Sequence, residues 1–189
     1  LSMSATQILI VEDEMIIAQE VKQSLVEMGY GVTGVAASGK TALDMVEKQR
    51  PHLVLMDIKL SGPMNGIEAA SCVHDTFDIP VVYLTANADR ETVERAKKTE
   101  PYGLVYKPVH TDALRAVIDM ALYKNKTEKK LKEHEAWLEA TLHSIGDAVI
   151  TTDTAGRITN MNRVAESLTG YPASDAVGSP LSSVFNIVQ

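Results

Sequence analysis

The sequence predicts a doubly wound α/β domain with a five-stranded parallel sheet, followed by a long helix and a small α+β domain. Three observations predict it. Short apolar runs alternate with helix-period segments over the first 123 residues. The next stretch, 123–145, contains no glycine or proline. Beyond Gly146 the apolar period becomes that of strands. A length of 189 residues fits one domain and part of another.

The first two strand–helix units follow from local signals. QILIV is apolar throughout, as a strand buried on both faces is. Met15–Met28 carries apolar residues at helical spacing, and Gly29 ends the helix. The second strand is GVTGVAA, and the short helix at 41–48 has Ser38 in place to cap it.

Three more units follow. The strands are HLVLMD, IPVVYLTA and GLVYK, and the helices are IEAASCVHDTF, RETVERAKK and a last one from Thr111. Five strands in strict alternation with helices imply a parallel sheet covered on both faces. Right-handed crossovers then favour the strand order 2-1-3-4-5, which is flavodoxin-like.

The connector 123–145 is composed mostly of good helix formers. Four apolar residues fall at heptad positions along it: Leu131, Leu138, Leu142 and Ile145. Glu128 and Glu135 occupy the corresponding core position upstream, so the heptad pattern is incomplete. We expect the helix to pair with its own copy in a homodimer, and a solvated linker helix is the alternative.

The segment 146–189 predicts two strands and short helices. AVITTD and RITNM flank a turn at 154–156 and form a hairpin. Asn162 caps the helix that follows, and Gly170 ends it. Two strands rarely form a stable unit alone, so we expect this segment to be part of a larger domain.

Composition excludes several classes of protein. The net charge is −7, which argues against non-specific nucleic-acid binding. The single cysteine, Cys72, excludes an internal disulfide and fits a reducing compartment. No apolar run approaches membrane-spanning length. We therefore expect a soluble, cytoplasmic protein without a nucleic-acid or membrane partner.

Polar residues stand at four strand ends of the predicted sheet. Glu12 and Asp13 follow the first strand, Asp57 ends the third, Thr85 ends the fourth and Lys107 ends the fifth. Strands one and three are neighbours in the predicted order, so the three carboxylates should converge on one crevice. Two unit charges about 4 Å apart repel by about 4 kcal/mol at an effective dielectric near 20. A magnesium ion, which takes hard oxygen ligands, would relieve that repulsion.

This arrangement favours phosphoryl transfer. A carboxylate in the crevice can act as a nucleophile towards a phosphoryl group. The metal and Lys107 would stabilise the equatorial oxygens, and Thr85 can donate its hydroxyl to the product. Each residue alone has an ordinary role as a cap, turn or strand former. Their coincidence at one edge of the sheet carries the hypothesis.

A competing motif is GVAASGKT at 34–41, which matches the phosphate-binding loop of nucleotide hydrolases. Such a loop must leave its strand, whereas Gly34–Ala37 is needed as the second strand. That strand is an edge, so its helix opens away from the acidic crevice. We expect Gly39 and Lys40 simply to begin the helix. A phosphatase with a second Asp two residues after Asp57 is also excluded, because Lys59 stands there.

The segments ILIVEDE, LVLMDIKLSGPMNGIEAA, VVYLTANA and GLVYKPV resemble the receiver domain of two-component response regulators. The resemblance covers 7–122. It implies that Asp57 is the phospho-acceptor, with a histidine kinase or phosphotransfer protein as the donor. It also implies that magnesium binds Glu12, Asp13, Asp57 and the backbone carbonyl of Lys59.

The resemblance further implies that Thr85 and Lys107 contact the phosphoryl group, and that the peptide bond from Lys107 to Pro108 is cis. One position departs from the family. An aromatic residue usually lies three before the lysine, and here that residue is Leu104. Strand alternation places it, with Tyr102 and Tyr106, on the face opposite Lys107. We therefore predict that the conformational switch lies in the fourth helix, strand five and the connector.

The segment 146–187 resembles the first half of a PAS sensor domain. The predicted domains are thus 1–122, 123–145 and 146–189. Receiver–PAS chains are commonly the front end of a sensor histidine kinase, although no kinase catalytic motif is present here. His134-Glu135 resembles the start of a phospho-histidine box, but AWLEA does not continue it. We expect His134 to be a surface residue of the linker. Leu138 stands where a zinc motif would need its second histidine.

Overall fold

The computed structural model describes residues 5–86, 90–144 and 146–185. The chain divides into two compact units, Leu1–Glu128 and Lys129–Gln189, and each is described by itself. The division falls within one long helix.

The first unit is the predicted α/β domain. Its sheet has the strands β1 Gln7–Val11, β2 Gly31–Ala36, β3 Leu53–Asp57, β4 Val81–Thr85 and β5 Gly103–Tyr106. All neighbouring pairs are parallel, and the order is β2-β1-β3-β4-β5, which confirms the prediction. The helices are α1 Met15–Glu27, α2 Gly39–Gln49, α3 Gly66–Phe77, α4 Arg90–Lys97 and α5 Thr111–Ser144.

The sheet is buried on both faces, which explains its continuous apolar strands. Along β1, Leu9 and Val11 pack into one core cluster, while Ile8 and Ile10 pack into the other. The same alternation holds along β3. A strand that buries both faces needs apolar residues at every position rather than at every second one.

The capping signals of two helices fix the loops beside the sheet. Ser38 accepts a hydrogen bond from the Thr41 backbone N–H, and α2 begins at Gly39, two residues before the predicted start. At the start of α3, Asn65 and Glu68 form a reciprocal capping box. This box orients the loop between β3 and α3, which borders the carboxyl edge of the sheet.

The apparent phosphate-binding loop is part of the sheet. Gly34 lies in the edge strand β2, paired with Leu9 of β1. A Cβ at position 34 would lie 2.3 Å from the terminal methyl of Met45 on α2, so the methionine side chain would have to turn away. Gly34 therefore permits close strand–helix packing, and the match to the nucleotide-hydrolase motif is accidental.

Helix α5 is packed on the first unit along its initial turns. Leu114, Ile118 and Ala121 are fully buried in the core. The Tyr30 hydroxyl donates a hydrogen bond of 2.6 Å to Asp119 Oδ1. Burial, together with this bond to a carboxylate, raises the pKa of Tyr30 to about 12.

The later part of the helix presents apolar side chains to solvent. Leu131 is 59% exposed, Trp137 60% and Leu138 44%. The side chain of Leu142 and the whole of Ile145, which complete the predicted stripe, lie outside the described residues. His134 is exposed as predicted, and its ring stacks on Trp137 with the centroids 5.7 Å apart.

The second unit contains the antiparallel pair β6 Ile150–Thr152 and β7 Ile158–Met161. Both strands are shorter than predicted. At the turn, the Asp153 carboxylate accepts hydrogen bonds from the Ala155 and Arg157 backbone N–H groups, which takes Asp153 and Arg157 out of the strands. The helices are α6 Arg163–Thr169, α7 Ala173–Ala176 and α8 Leu181–Val184. Asn162 caps α6 as predicted, whereas the positions of α7 and α8 were not predicted.

Candidate functional site

The carboxyl edge of the sheet gathers three acidic side chains. Glu12 and Asp13 directly follow β1, and Asp57 is the last residue of β3, the neighbouring strand. One carboxylate oxygen from each lies within 4.8 Å of the others. Glu12 and Asp57 are buried, and Asp13 is half-buried. The convergence expected from the strand order is therefore present.

Lys107 places a cation between two of these carboxylates. Its Nζ lies 2.6 Å from Glu12 Oε2 and donates a hydrogen bond of 2.8 Å to Asp57 Oδ2. The contact with Glu12 is a short, buried ion pair. All three side chains are at most 8% exposed, so this is a largely desolvated charge cluster.

The charges at the site shift several proton affinities. Burial, together with the neighbouring charge of Asp57, raises the pKa of Glu12, and the two outweigh the opposing effect of Lys107. Burial lowers the pKa of Lys107, but the hydrogen bond to Asp57 and the contact with Glu12 outweigh it, and the net shift is upward. Lys107 is therefore a firmly protonated cation that faces the carboxylates.

Asp13 is oriented by a residue that the sequence did not reveal. The Ser61 hydroxyl donates to Asp13 Oδ2 at 2.5 Å, and the Ser61 backbone N–H donates to the same oxygen at 3.2 Å. The hydrogen bond from the Ser61 side chain lowers the pKa of Asp13 and outweighs the opposing effect of burial. Ser61 lies 48 residues away in the loop after β3, and a serine in a Gly/Pro loop carries no local signal for this role.

The backbone around Asp57 is tightly held. The Lys59 N–H donates to Asp57 Oδ1 at 3.0 Å, which fixes the carboxylate in an Asx-type turn. Gly66, the first residue of α3, lies against the Asp57 carbonyl, and a Cβ at position 66 would overlap that oxygen. The Gly66 N–H donates to the Ile58 carbonyl at 3.2 Å. A glycine is thus required for α3 to begin this close to the site.

Thr85 and Lys107 lie at the carboxyl ends of the neighbouring strands β4 and β5. Thr85 is buried at the end of β4, and its carbonyl accepts the Lys107 N–H at 2.8 Å. The peptide bond from Lys107 to Pro108 is cis, as the resemblance implied. The roles of the Thr85 hydroxyl and of the Lys59 carbonyl stay predictions.

One face assignment near β5 was wrong. Leu104 packs into the same cluster as Tyr83, its partner in the β4–β5 register. Tyr102 instead packs with the cluster beneath α1 and α5. The strand begins at Gly103, so strict alternation does not extend to Tyr102.

Residues 8–119, more than half of the chain, match the family described as the response regulator receiver domain. The chain belongs to this family. The receiver assignment agrees with the strand order and supports a function in two-component phosphorelay signalling. It does not favour the nucleotide-hydrolase alternative. Residues 137–188 match the PAS fold, so the match begins within α5 and includes the second unit's hairpin.

Receiver-containing relatives resemble the chain at moderate identity. It is 34% identical over 133 residues to the phyllosphere-induced regulator PhyR of Methylorubrum extorquens, a match that covers 70% of this chain and 49% of PhyR. It is 33% identical over 138 residues to the transcriptional regulatory protein PdtaR of Mycobacterium tuberculosis, covering 73% of this chain and 67% of PdtaR. The chain thus spans about half the length of PhyR.

A solved receiver domain shares the architecture of the first unit. The signal receiver domain of a modulated diguanylate cyclase from Desulfovibrio desulfuricans G20 is 36% identical, with a TM-score of 0.63, and the match covers 66% of this chain and 98% of that domain. Among the described helices, none has the length and apolarity that crossing a membrane requires.

Proposed function

We propose that the receiver domain accepts a phosphoryl group on Asp57 from a histidine kinase or a phosphotransfer protein. The observation that carries this proposal is the position of the Lys107 ammonium, 2.6 Å from Glu12 and 2.8 Å from Asp57 in a desolvated cluster. A buried cation beside a strand-end carboxylate suits a site that stabilises added negative charge.

The step is a displacement at phosphorus. An Asp57 carboxylate oxygen forms the new P–O bond while the donor's P–N bond, or the P–O bond of a small acyl phosphate, breaks with its electron pair leaving on the donor. Lys107 holds the acceptor carboxylate in place before transfer, and its ammonium is near enough to contact the phosphoryl oxygens afterwards. Thr85, at the end of the adjacent strand, would donate its hydroxyl to one of them.

The residues present fit a magnesium ion. They offer hard carboxylate oxygens, one from each of Glu12, Asp13 and Asp57, and these oxygens lie within 4.8 Å of one another. Three negative charges stand against one positive charge, which leaves two for a divalent cation to balance. Glu12, Asp13, Asp57 and the Lys59 carbonyl would hold the ion. When bound, it would supply charge neutralisation to the transferred group.

A phosphorylation assay tests this function. With acetyl phosphate and magnesium, the wild-type chain should acquire one phosphoryl group, seen as a mass increase that hydroxylamine removes. Asp57→Asn should acquire none, because the amide is not a nucleophile. Asp153→Asn, which changes a turn carboxylate in the second unit, is the matched control. Equal labelling of wild type and Asp57→Asn would refute the assignment.

We further propose that the signal passes from the receiver domain to the PAS module through α5, and that the connector pairs with its own copy. The exposed Leu131 and Leu138 on one stripe support the pairing. Burying such side chains contributes roughly 1.5 to 3 kcal/mol each. No nucleic-acid contact is part of this proposal, in keeping with the net charge of −7.

The pairing predicts a change in mass. The full chain should be dimeric by light scattering at micromolar concentration, and Leu131→Glu combined with Leu138→Glu should make it monomeric, because two charges would be buried per helix. Ala136→Glu adds the same charge on an exposed position off the stripe and should leave the dimer intact. A wild-type monomer, or a dimer that survives the double substitution, would contradict the proposal.

A further inference from the structure

The loop that precedes β5 contacts the part of α5 that leads into the connector. The Tyr102 hydroxyl donates a hydrogen bond of 2.6 Å to Glu128 Oε2. Asn125 Nδ2 lies 3.4 Å from the same hydroxyl, and Lys124 Nζ lies 4.9 Å from the centre of the Tyr102 ring. One tyrosine thus meets three side chains on two successive turns of the helix. All four residues belong to the first unit.

The contact is partly buried and chemically matched. Asn125 is only 9% exposed, which is unusual for an amide on a charged helix. Lys124 and Glu128 lie one helical turn apart, and Lys124 Nζ is 3.8 Å from Glu128 Oε1. The ammonium that lies over the Tyr102 ring therefore also faces the carboxylate that accepts the hydrogen bond from the Tyr102 hydroxyl. Burial and the Glu128 hydrogen bond raise the pKa of Tyr102 to about 12, so its hydroxyl remains a donor at neutral pH.

The same loop is tied to the strand that carries Thr85. The Thr99 hydroxyl donates to the Ala96 carbonyl at 2.7 Å, which leaves the Tyr83 hydroxyl to donate to Thr99 Oγ1 at 2.8 Å. Tyr83 is fully buried, lies two residues before Thr85 and pairs with Leu104 in the sheet register. Hydroxyl contacts therefore join the loop to β4 on one side and to α5 on the other.

We propose that Tyr102 is a latch that fastens the root of the connector, Lys124–Glu128, to the receiver domain, and that phosphorylation of Asp57 releases it. This inference rests on the proposed function. The Tyr102 latch would also be the moving element of the switch. Leu104 cannot take that role, because it has no ring or hydroxyl.

The position of Tyr102 accounts for the coupling. It immediately precedes β5, a strand of four residues whose other end leads to Lys107. A phosphoryl group on Asp57 gives Lys107 and Thr85 a new anionic partner; Thr85 ends β4, and Lys107 directly follows β5. A hydrogen bond of 2.6 Å is lost when its atoms separate by about 1 Å, so a small strand shift is enough to open the latch.

Hydrogen exchange on the full chain tests the latch. In the unmodified protein, Tyr102→Phe should speed amide exchange at 124–128 about tenfold, because it removes a hydrogen bond to a charged group and keeps the ring. Tyr123→Phe removes a hydroxyl from an exposed tyrosine one residue before Lys124 and should leave exchange unchanged. Acetyl phosphate with magnesium should speed exchange at 124–128 in the wild type and add little in Tyr102→Phe. Labelling of Asp57 should be equal in all three proteins.

The outcomes separate the two proposals. Unchanged exchange in unmodified Tyr102→Phe overturns the latch, whether or not Asp57 is labelled. Faster exchange in that variant, together with a labelled wild type whose exchange at 124–128 does not rise, overturns release by phosphorylation. Failure of acetyl phosphate to label Asp57 overturns the proposed function instead. A double-mutant cycle of Tyr102→Phe with Glu128→Ala should be non-additive, and additive effects would show that the two side chains do not act together.

Discussion

The Gly66→Ala variant should lose about 3 kcal/mol of stability and transfer phosphoryl groups to Asp57 about a hundredfold more slowly. A Cβ at position 66 would overlap the Asp57 carbonyl oxygen and would lie 3.0 Å from the Ile58 Cα. Both neighbours are backbone, so neither can rotate away, and overpacking of this kind costs about 1 to 3 kcal/mol. Relief requires β3 or α3 to move, and a displacement of about 1 Å at a reacting group can cost a hundredfold in rate.

Urea unfolding and the rate of acetyl phosphate labelling measure the two effects. Gly146→Ala is the matched control, because among the described residues no heavy atom other than those of its chain neighbours lies within 4 Å of a Cβ there, and its backbone conformation is not left-handed. It should change neither quantity. A Gly66→Ala protein with wild-type stability and labelling rate would mean that α3 does not constrain Asp57.

The five-stranded sheet could be predicted from the sequence because the signals that mark each strand are local. QILIV and LVLMD are apolar at every position, as two-sided burial requires, and they are β1 and β3 in the structure. The acidic cluster followed from topology alone, since neighbouring parallel strands end at one edge. The five candidate site residues at the four strand ends could therefore be assigned to one edge of the sheet from the sequence.

Contacts between residues far apart in the chain could not be predicted from the sequence. Ser61 reaches Asp13 across 48 residues, and Tyr102 reaches Glu128 across 26. Neither pair has a spacing that a helix or strand period would reveal. The short helices α7 and α8 have four residues each, too few to show a 3.6-residue period. Strand alternation also misplaced Tyr102, because the residue stands one position before the strand.

Magnesium should stabilise the wild-type protein by about 2.7 kcal/mol at a hundred times its dissociation constant. The ion would bind the folded site, where three carboxylates have oxygens within 4.8 Å of one another, and not the unfolded chain, where they are dispersed. For a unit of this size the gain corresponds to a rise of about 10 °C in Tm. Thermal unfolding in millimolar magnesium chloride, against sodium chloride of equal ionic strength, measures it.

Asp13→Asn distinguishes binding at this site from a general salt effect. The asparagine Oδ1 can still accept the hydrogen bonds that Ser61 donates, so the loop contact survives while one ionic ligand is lost. Most of the magnesium-dependent gain should therefore disappear, and the protein without magnesium should unfold at a similar or higher temperature, because repulsion from Glu12 and Asp57 is reduced. Asp44→Asn removes an equal charge from the exposed face of α2 and should keep the full gain. A wild-type Tm that does not respond to magnesium would show that the protein does not bind the ion. An equal response in Asp13→Asn would show that the ion does not bind at this carboxylate cluster.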